Sequence, residues 1–333
     1  MKCAAVFFAC LLPTLVPACE LCTISSAENA YTVSGTSPSK FIFSVSEQYI
    51  PFNKLQVEGE PFPRSPFFQA AYLNSSITHF VPGYNFTPRL GLSVNVPLVY
   101  RQFHRTEVTP LGERIDERGT LTGLGDVALV GRWTAFQKSD MDYALNVNLL
   151  AGVKFPTGDT ERLEDEQEQE RRYTEIFGPV HAHSYGGIHQ HDLSPGTGSV
   201  DGVFGLTANA RWKRVFFNSQ GQYYVRGTGL DYRVGDLIIV SGGPGFYALL
   251  LDNTATVSIQ ANAIYEHQSS DLSLGQVNNQ TGFEAWYFGP LVSFTWGEHF
   301  SGNIGVDMPL SIYNHGIQSV PDYRIHGGLN WKF

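Results

Sequence analysis

From Tyr143 to Phe155 every second residue is apolar or aromatic: Tyr143, Leu145, Val147, Leu149, Ala151, Val153 and Phe155. The positions between them include Asn146, Asn148, Gly152 and Lys154. Side chains alternate sides along a strand, so a period of two means one apolar face and one polar face. The pattern recurs. Leu90, Leu92, Val94, Val96, Leu98 and Tyr100 stand against Ser93, Asn95 and Arg101; Phe204, Leu206, Ala208 and Ala210 against Asp201, Thr207, Asn209 and Arg211; Val257, Ile259, Ala261 and Ala263 against Ser258, Gln260, Asn262 and Glu266. About twelve such strands are expected, at 40–50, 75–86, 90–103, 123–136, 143–155, 200–212, 215–227, 236–250, 255–266, 283–296, 301–312 and 322–333. The segments 75–86 and 236–250 lack a clean polar face.

The connections sort by length. Those near 87–88, 137–142, 213–214, 251–254 and 297–300 are short, while those near 51–74, 104–122, 156–199, 228–235, 267–282 and 313–321 are long. Short turns at one end, long loops at the other and an even strand number are the pattern of a transmembrane barrel. The fold class expected is therefore all-β: a transmembrane antiparallel β-barrel of about 12 strands, with short periplasmic turns and long extracellular loops. Lipid offers no hydrogen bonds, so such a sheet has to close. Trp133, Trp212, Trp296 and Trp331 fall at strand ends beside short turns, and Trp286 lies near a long loop. Amphipathic rings collect at membrane interfaces in this way.

Composition agrees with that fold. Charged residues make up only 16% of the chain and aromatics 13%. The longest uncharged run, Leu237 to Leu251, contains Gly242-Gly243-Pro244-Gly245 and falls short of the roughly 20 apolar residues of a spanning helix. A net charge of −9 without a basic stripe excludes nucleic acid as a partner. Met1-Lys2 followed by the apolar run Cys3 to Val16 and by Val16-Pro17-Ala18 reads as an export signal with a cleavage site. The expected organisation is a signal peptide at 1–18, a periplasmic segment at 19–38 and the barrel at 39–333.

The polar strand faces carry Arg101, Asp126, Arg132, Lys154, Asp201, Arg211, Arg226, Glu266, Asp307 and Arg324. They are expected to line the lumen. A barrel of about eight strands is filled by side chains and one of about sixteen holds an aqueous channel. Twelve lies between, so these charges form either a solute path or a salt-bridged plug.

Two further clusters stand out. His181, His183, His189 and His191 form two His-x-His pairs beside carboxylates in the longest loop, suited to a divalent metal such as Zn, Cu or Ni, although the spacing matches no specific motif. The alternative is a solvated loop. Cys19-Glu-Leu-Cys22 has three open readings: lipidation at Cys19, a disulfide, or metal binding. No cofactor beyond that metal is expected, and no motif marks a catalytic Ser or His, so no enzyme activity is expected.

Tyr323 to Phe333 alternates too, with Tyr323, Ile325, Leu329, Trp331 and Phe333 opposite Arg324, His326, Asn330 and Lys332. Ending on Phe, it resembles the C-terminal signal of bacterial outer-membrane β-barrels, which implies recognition by the barrel assembly machinery. Gly123-Leu-Gly-Asp-Val-Ala-Leu-Val-Gly-Arg-Trp133 and Leu149-Leu-Ala-Gly-Val-Lys-Phe-Pro-Thr-Gly-Asp159 resemble segments of the outer-membrane transport family associated with phenol meta-pathway gene clusters. That resemblance implies a channel or transporter in the bacterial outer membrane, with lipid outside and a small organic solute inside. The histidine loop and the Cys-x-x-Cys pair are not part of it. They leave a metal-binding surface barrel as the second reading and an outer-membrane lipid hydrolase as the third.

Overall fold

A computed structural model describes residues 39–62, 71–178, 185–251 and 254–333. The export segment 1–18, Cys19, Cys22, His181 and His183 lie outside the described residues.

The wall is built from β1 (Phe41–Val57), β2 (Tyr72–Asn85), β3 (Leu90–Val108), β4 (Arg114–Leu124), β5 (Ala128–Ser139), β6 (Tyr143–Lys154), β7 (Asp201–Trp212), β8 (Val215–Val225), β9 (Leu237–Leu251), β10 (Ala255–Gln268), β11 (Phe283–Trp296), β12 (Phe300–Asn314) and β13 (Arg324–Lys332). Each pairs antiparallel with the next, except that β4 and β5 both pair with β3, and β13 returns to β1 with Lys332 opposite Ile42 and Ile325 opposite Tyr49. The sheet is closed, with twelve strand positions. β4 and β5 share one position: β4 pairs with the far end of β3 (Leu98 opposite Leu124) and β5 with its near end (Asn95 opposite Ala128). The strand breaks at Gly125-Asp126-Val127, where the Asp126 carboxylate accepts the backbone N–H groups of Thr157, Gly158 and Thr197.

Alternation sets the two faces. Leu149, Phe204, Phe217, Val240, Ile304 and Leu329 are exposed on the outside, and Trp133, Trp212 and Trp296 project at the rim with the short turns, called the inner end below. Such an apolar band with aromatic rims is what a bilayer demands. No helix among the described residues is long and apolar enough to cross a membrane.

Several regions depart from the sequence-based expectation: β1 runs on through 51–57, and the connections at 228–235 and 267–282 hold the short paired strands Tyr232–Arg233, Asp271–Ser273 and Gln276–Asn278. The span 104–122 is not a loop, because β3 and β4 continue the wall as a hairpin with Val108 opposite Arg114. The span 313–321 contains a short strand, Ile317–Pro321, paired to the outer end of β1. The span 156–199 contains α1 (Glu161–Phe177) and the single turn α2 (Gln190–Leu193), so part of it is an ordered cap.

The interior is not polar throughout. Val81, Val130, Leu150, Val203, Tyr224, Leu237, Ile239, Ile264 and Tyr287 pack into one apolar cluster on the inward faces. This weakens the polar face at 75–86 and 236–250, where Ile77, Val81, Leu237 and Ile239 share the inward side with Ser75, His79 and Ser241. In β9, Gly243 holds φ at 159°, and a Cβ there would stand 1.9 Å from the Ala261 carbonyl oxygen. Glycine is required at that point by the neighbouring backbone.

Candidate functional site

The described lumen has four levels. At the outer end, α1 and α2 form a cap. The run Glu161 to Phe177 is rich in helix formers, starts with Glu161 and Glu164 at the positive end of the dipole, and stops at Gly178 with φ 81°. Its inward stripe is Leu163, Glu166, Gln167, Glu170 and Tyr173. Leu163 packs with Tyr232 and Val234. Glu166 accepts the His191 backbone N–H at 2.6 Å, and both its oxygens lie 3.0 Å from His191 Nδ1. Burial works against the charged carboxylate, but His191 outweighs it and holds the group down at about 2. Arg101, inward on β3, donates through Nη1 to the carbonyls of Asp192 at 2.6 Å and Ser194 at 2.9 Å, tying the cap to the wall.

His189 and His191 stack with centroids 5.3 Å apart. Their described carboxylate neighbours are Glu166 and Asp192. Among the described residues, no group of three or more His, Cys, Asp or Glu side chains converges on a metal-sized point. The described stretch 187–199 of the histidine loop is packed rather than solvated, with His191 only 4% exposed.

Beneath the cap, a second level closes the outer end of the wall between β5, β6, β7 and β8. Lys154 Nζ binds Asp126 and lies 2.9 Å from Asp201, and Arg226 Nη1 donates to the same Asp201 at 3.0 Å. Asp126 also accepts the backbone N–H groups of Gly158 at 3.1 Å and Thr197 at 2.8 Å. Two anions meet two cations and several donors, so the charges are compensated and the loops at 156–160 and 194–200 are stitched to the wall. This cluster is structural in its geometry.

The third level crosses the lumen itself. Glu266 on β10 accepts hydrogen bonds from Nη1 and Nη2 of Arg324 on β13, at 2.5 Å each. The guanidinium carbon lies 3.9 Å from the Tyr287 ring centroid, a close cation–π contact. Asp307 and His326 stand just inward, with Oδ2 and Nε2 3.2 Å apart, near in distance but misaligned for a hydrogen bond.

Cavities open on both sides of this belt. The outer one, of about 100 Å³, is lined by Ile50, Phe52, Leu73, Ile188 and Phe283 together with Gln268, Gln280, Asn314 and Gln318, and its floor is Glu266, Tyr287 and Arg324. The inner one, of about 280 Å³, is lined mainly by amides and hydroxyls: Asn209, Asn218, Gln220, Ser241, Ser258, Gln260, Asn262, Ser293, Ser301 and Asn303, with Asp307 and His326 above. Toward the inner rim, Arg132 donates to Thr134 at 2.8 Å and Asn85 at 2.9 Å. Arg211 and Lys332 occupy inward positions there, each half-buried.

All ten charged residues assigned to the polar faces therefore take inward or barrel-end positions, and all but Arg211 are buried. The structure gathers them into separate groups: Arg101 under the cap, Asp126 with Lys154, Asp201 and Arg226, Glu266 with Arg324 near Asp307, and Arg132 and Arg211 near the inner rim. Tyr287 and the Glu166–His191 pair were not foreseen. Tyr287 sits on an inward position that its apolar neighbours disguise, while Leu163, Glu166, Gln167, Glu170 and Tyr173 show a helical period that announces the cap helix.

No protein-family model matches the chain, and no curated protein matches its sequence. Among solved structures, it is similar to an outer membrane channel from Pseudomonas putida F1, with 12% identity, 89% of this chain and 96% of that one covered, and a TM-score of 0.57. The β domain of the Bordetella autotransporter Brka aligns at 11% identity over 89% of this chain and 100% of its own, with a TM-score of 0.44. The Pseudomonas putida toluene transporter TodX aligns at 7% identity over 96% of each chain, with a TM-score of 0.38. The first likeness agrees with the fold described above, a closed antiparallel β-barrel of the kind that crosses a membrane with its strands.

Proposed function

We propose that this barrel is an outer-membrane channel for a small organic solute, with the Glu266–Arg324–Tyr287 belt as its constriction. One observation carries the reading: two cavities lie within a closed wall, and only side chains separate them. A barrel that served as a plain anchor would gain nothing from a floor of buried ions between hollow chambers. The outer chamber is half apolar and the inner one is amide-rich, which suits a solute with both a hydrocarbon body and hydrogen-bonding groups. The resemblance of the 123–133 and 149–159 segments to the phenol meta-pathway transport family supports the same class of cargo. Lipid contact along the apolar band, and assembly through the closing strand, belong to this reading.

Proteoliposome swelling tests it. Liposomes carrying the purified barrel should swell in small organic solutes faster than empty liposomes. Equal rates across a series of such solutes would refute a channel.

A further inference from the structure

The inner chamber is built mostly from side chains that hydrogen-bond without carrying charge. Its lining is dominated by Asn, Gln, Ser and Thr from β7 to β12, and the carboxylate and imidazole among its described lining residues are those of Asp307 and His326, at its top. Part of this lining is satisfied from within. Asn218 donates to Gln260 at 3.2 Å, and the Thr256 and Thr295 hydroxyls lie 2.8 Å apart.

One corner is not satisfied. Ser301 Oγ, Asn303 Oδ1 and both ring nitrogens of His326 have no hydrogen-bond partner among the described residues, although these side chains are only 6%, 9% and 8% exposed. Ser301, Asn303 and Asp307 share the inward face of β12, and His326 stands opposite Gly305, between the last two. A Cβ at Gly305 would lie 2.6 Å from His326 Nε2, so the imidazole fills the space that the glycine leaves. What this corner lacks is donors. A carboxylate and an amide oxygen only accept, while a hydroxyl and a neutral imidazole accept as well as donate. Buried acceptors left unpaired favour a ligand that brings O–H groups to them.

The rest of the chamber fits the same ligand. Phe216 and Tyr247 line it on β8 and β9 with ring centroids 5.2 Å apart. Their faces can cover the C–H surface of a ring and leave its hydroxyls to the amides. At about 280 Å³ the chamber is near the lower end of ligand pockets, roughly 300 Å³, which suits a single ring.

Resting on the channel reading, we propose that the inner chamber is a binding site for a neutral sugar ring, the hydrogen-bonding part of the solute. Its hydroxyls donate to Asp307 and Asn303 and exchange hydrogen bonds with Ser301 and His326.

The test is block of potassium chloride current through the full-length barrel in planar bilayers. The protein is purified in an amine-oxide detergent, so that no glycosidic detergent competes for the site. Glucose should reduce the current saturably. Glycine betaine, which has no O–H or N–H donor, should not do so at the same concentration. Asn303→Leu removes the acceptor at similar volume, and Asp307→Asn removes the carboxylate. Each should raise the glucose concentration for half block about tenfold, with native folding checked by heat-dependent mobility in detergent gels. A current indifferent to glucose, equal block by the two solutes, or half block unmoved in the folded variants would overturn the inference while leaving a channel standing. A barrel that passes no current would overturn the channel reading and this inference together.

Discussion

Glu266 and Arg324 meet across the lumen from strands that do not pair with each other: β11 and β12 stand between β10 and β13. Two parallel hydrogen bonds of 2.5 Å fix the contact, and Tyr287 lies against the guanidinium. A cross-lumen pair shortens the free path and braces the wall at once.

Removing one partner should therefore do two opposite things. Arg324→Ala leaves a buried carboxylate without its cation, which costs about 3–5 kcal/mol. Urea unfolding from detergent or lipid should show that loss. The same change empties the belt, so single-channel conductance should rise. Glu266→Gln, which keeps the volume, should destabilise without a comparable gain in conductance.

The cap should loosen in acid with a definite sign. The Glu166 carboxyl, ordinarily near 4.5, is held at about 2. A depressed carboxyl contributes stability that is full above its unfolded value and lost as pH falls through its folded one. Trypsin cleavage after Arg171 or Arg172, both exposed on α1, requires local opening and reports cap order. Glu166→Gln should be cut faster than wild type at neutral pH, and wild type exposed briefly to acid between about pH 4.5 and about 2 should lose hydrogen-exchange protection over 161–177. Protection unchanged across that window would contradict the assignment.

Neighbouring residues on opposite faces of β12 should respond in opposite ways. Ile304 is exposed on the lipid side, and an arginine well inside the bilayer costs about 2–4 kcal/mol. Ile304→Arg should show that penalty in an unfolding titration. Asn303→Arg, one residue away on the lumen side, should be tolerated better and should raise the preference for anions. Similar penalties at both positions would mean that the two faces are misassigned.

Much of this was legible in the chain because alternation is a property of single residues. Leu149 outward and Lys154 inward follow from counting alone. Where the inward face is itself apolar, as at Leu237 and Ile239, the count loses its contrast and the strand is harder to see. The extension of β3 and β4 was hidden because Arg114, Asp116 and Arg118 stand on the outward face beyond the apolar band, where polar residues look like loop. The α1 helix was legible in principle from Leu163, Glu166, Gln167, Glu170 and Tyr173, but its buried acids mask the usual apolar stripe. The Glu266–Arg324 contact could not be read, because facing across a closed barrel depends on strand number and stagger rather than on local pattern.

The most direct test of the central claim is single-channel recording of wild type beside Arg324→Ala in the same bilayer. A lumen gated by the Glu266–Arg324–Tyr287 belt predicts discrete openings in wild type and larger ones in the variant. No openings in either protein, with both correctly folded, would contradict it.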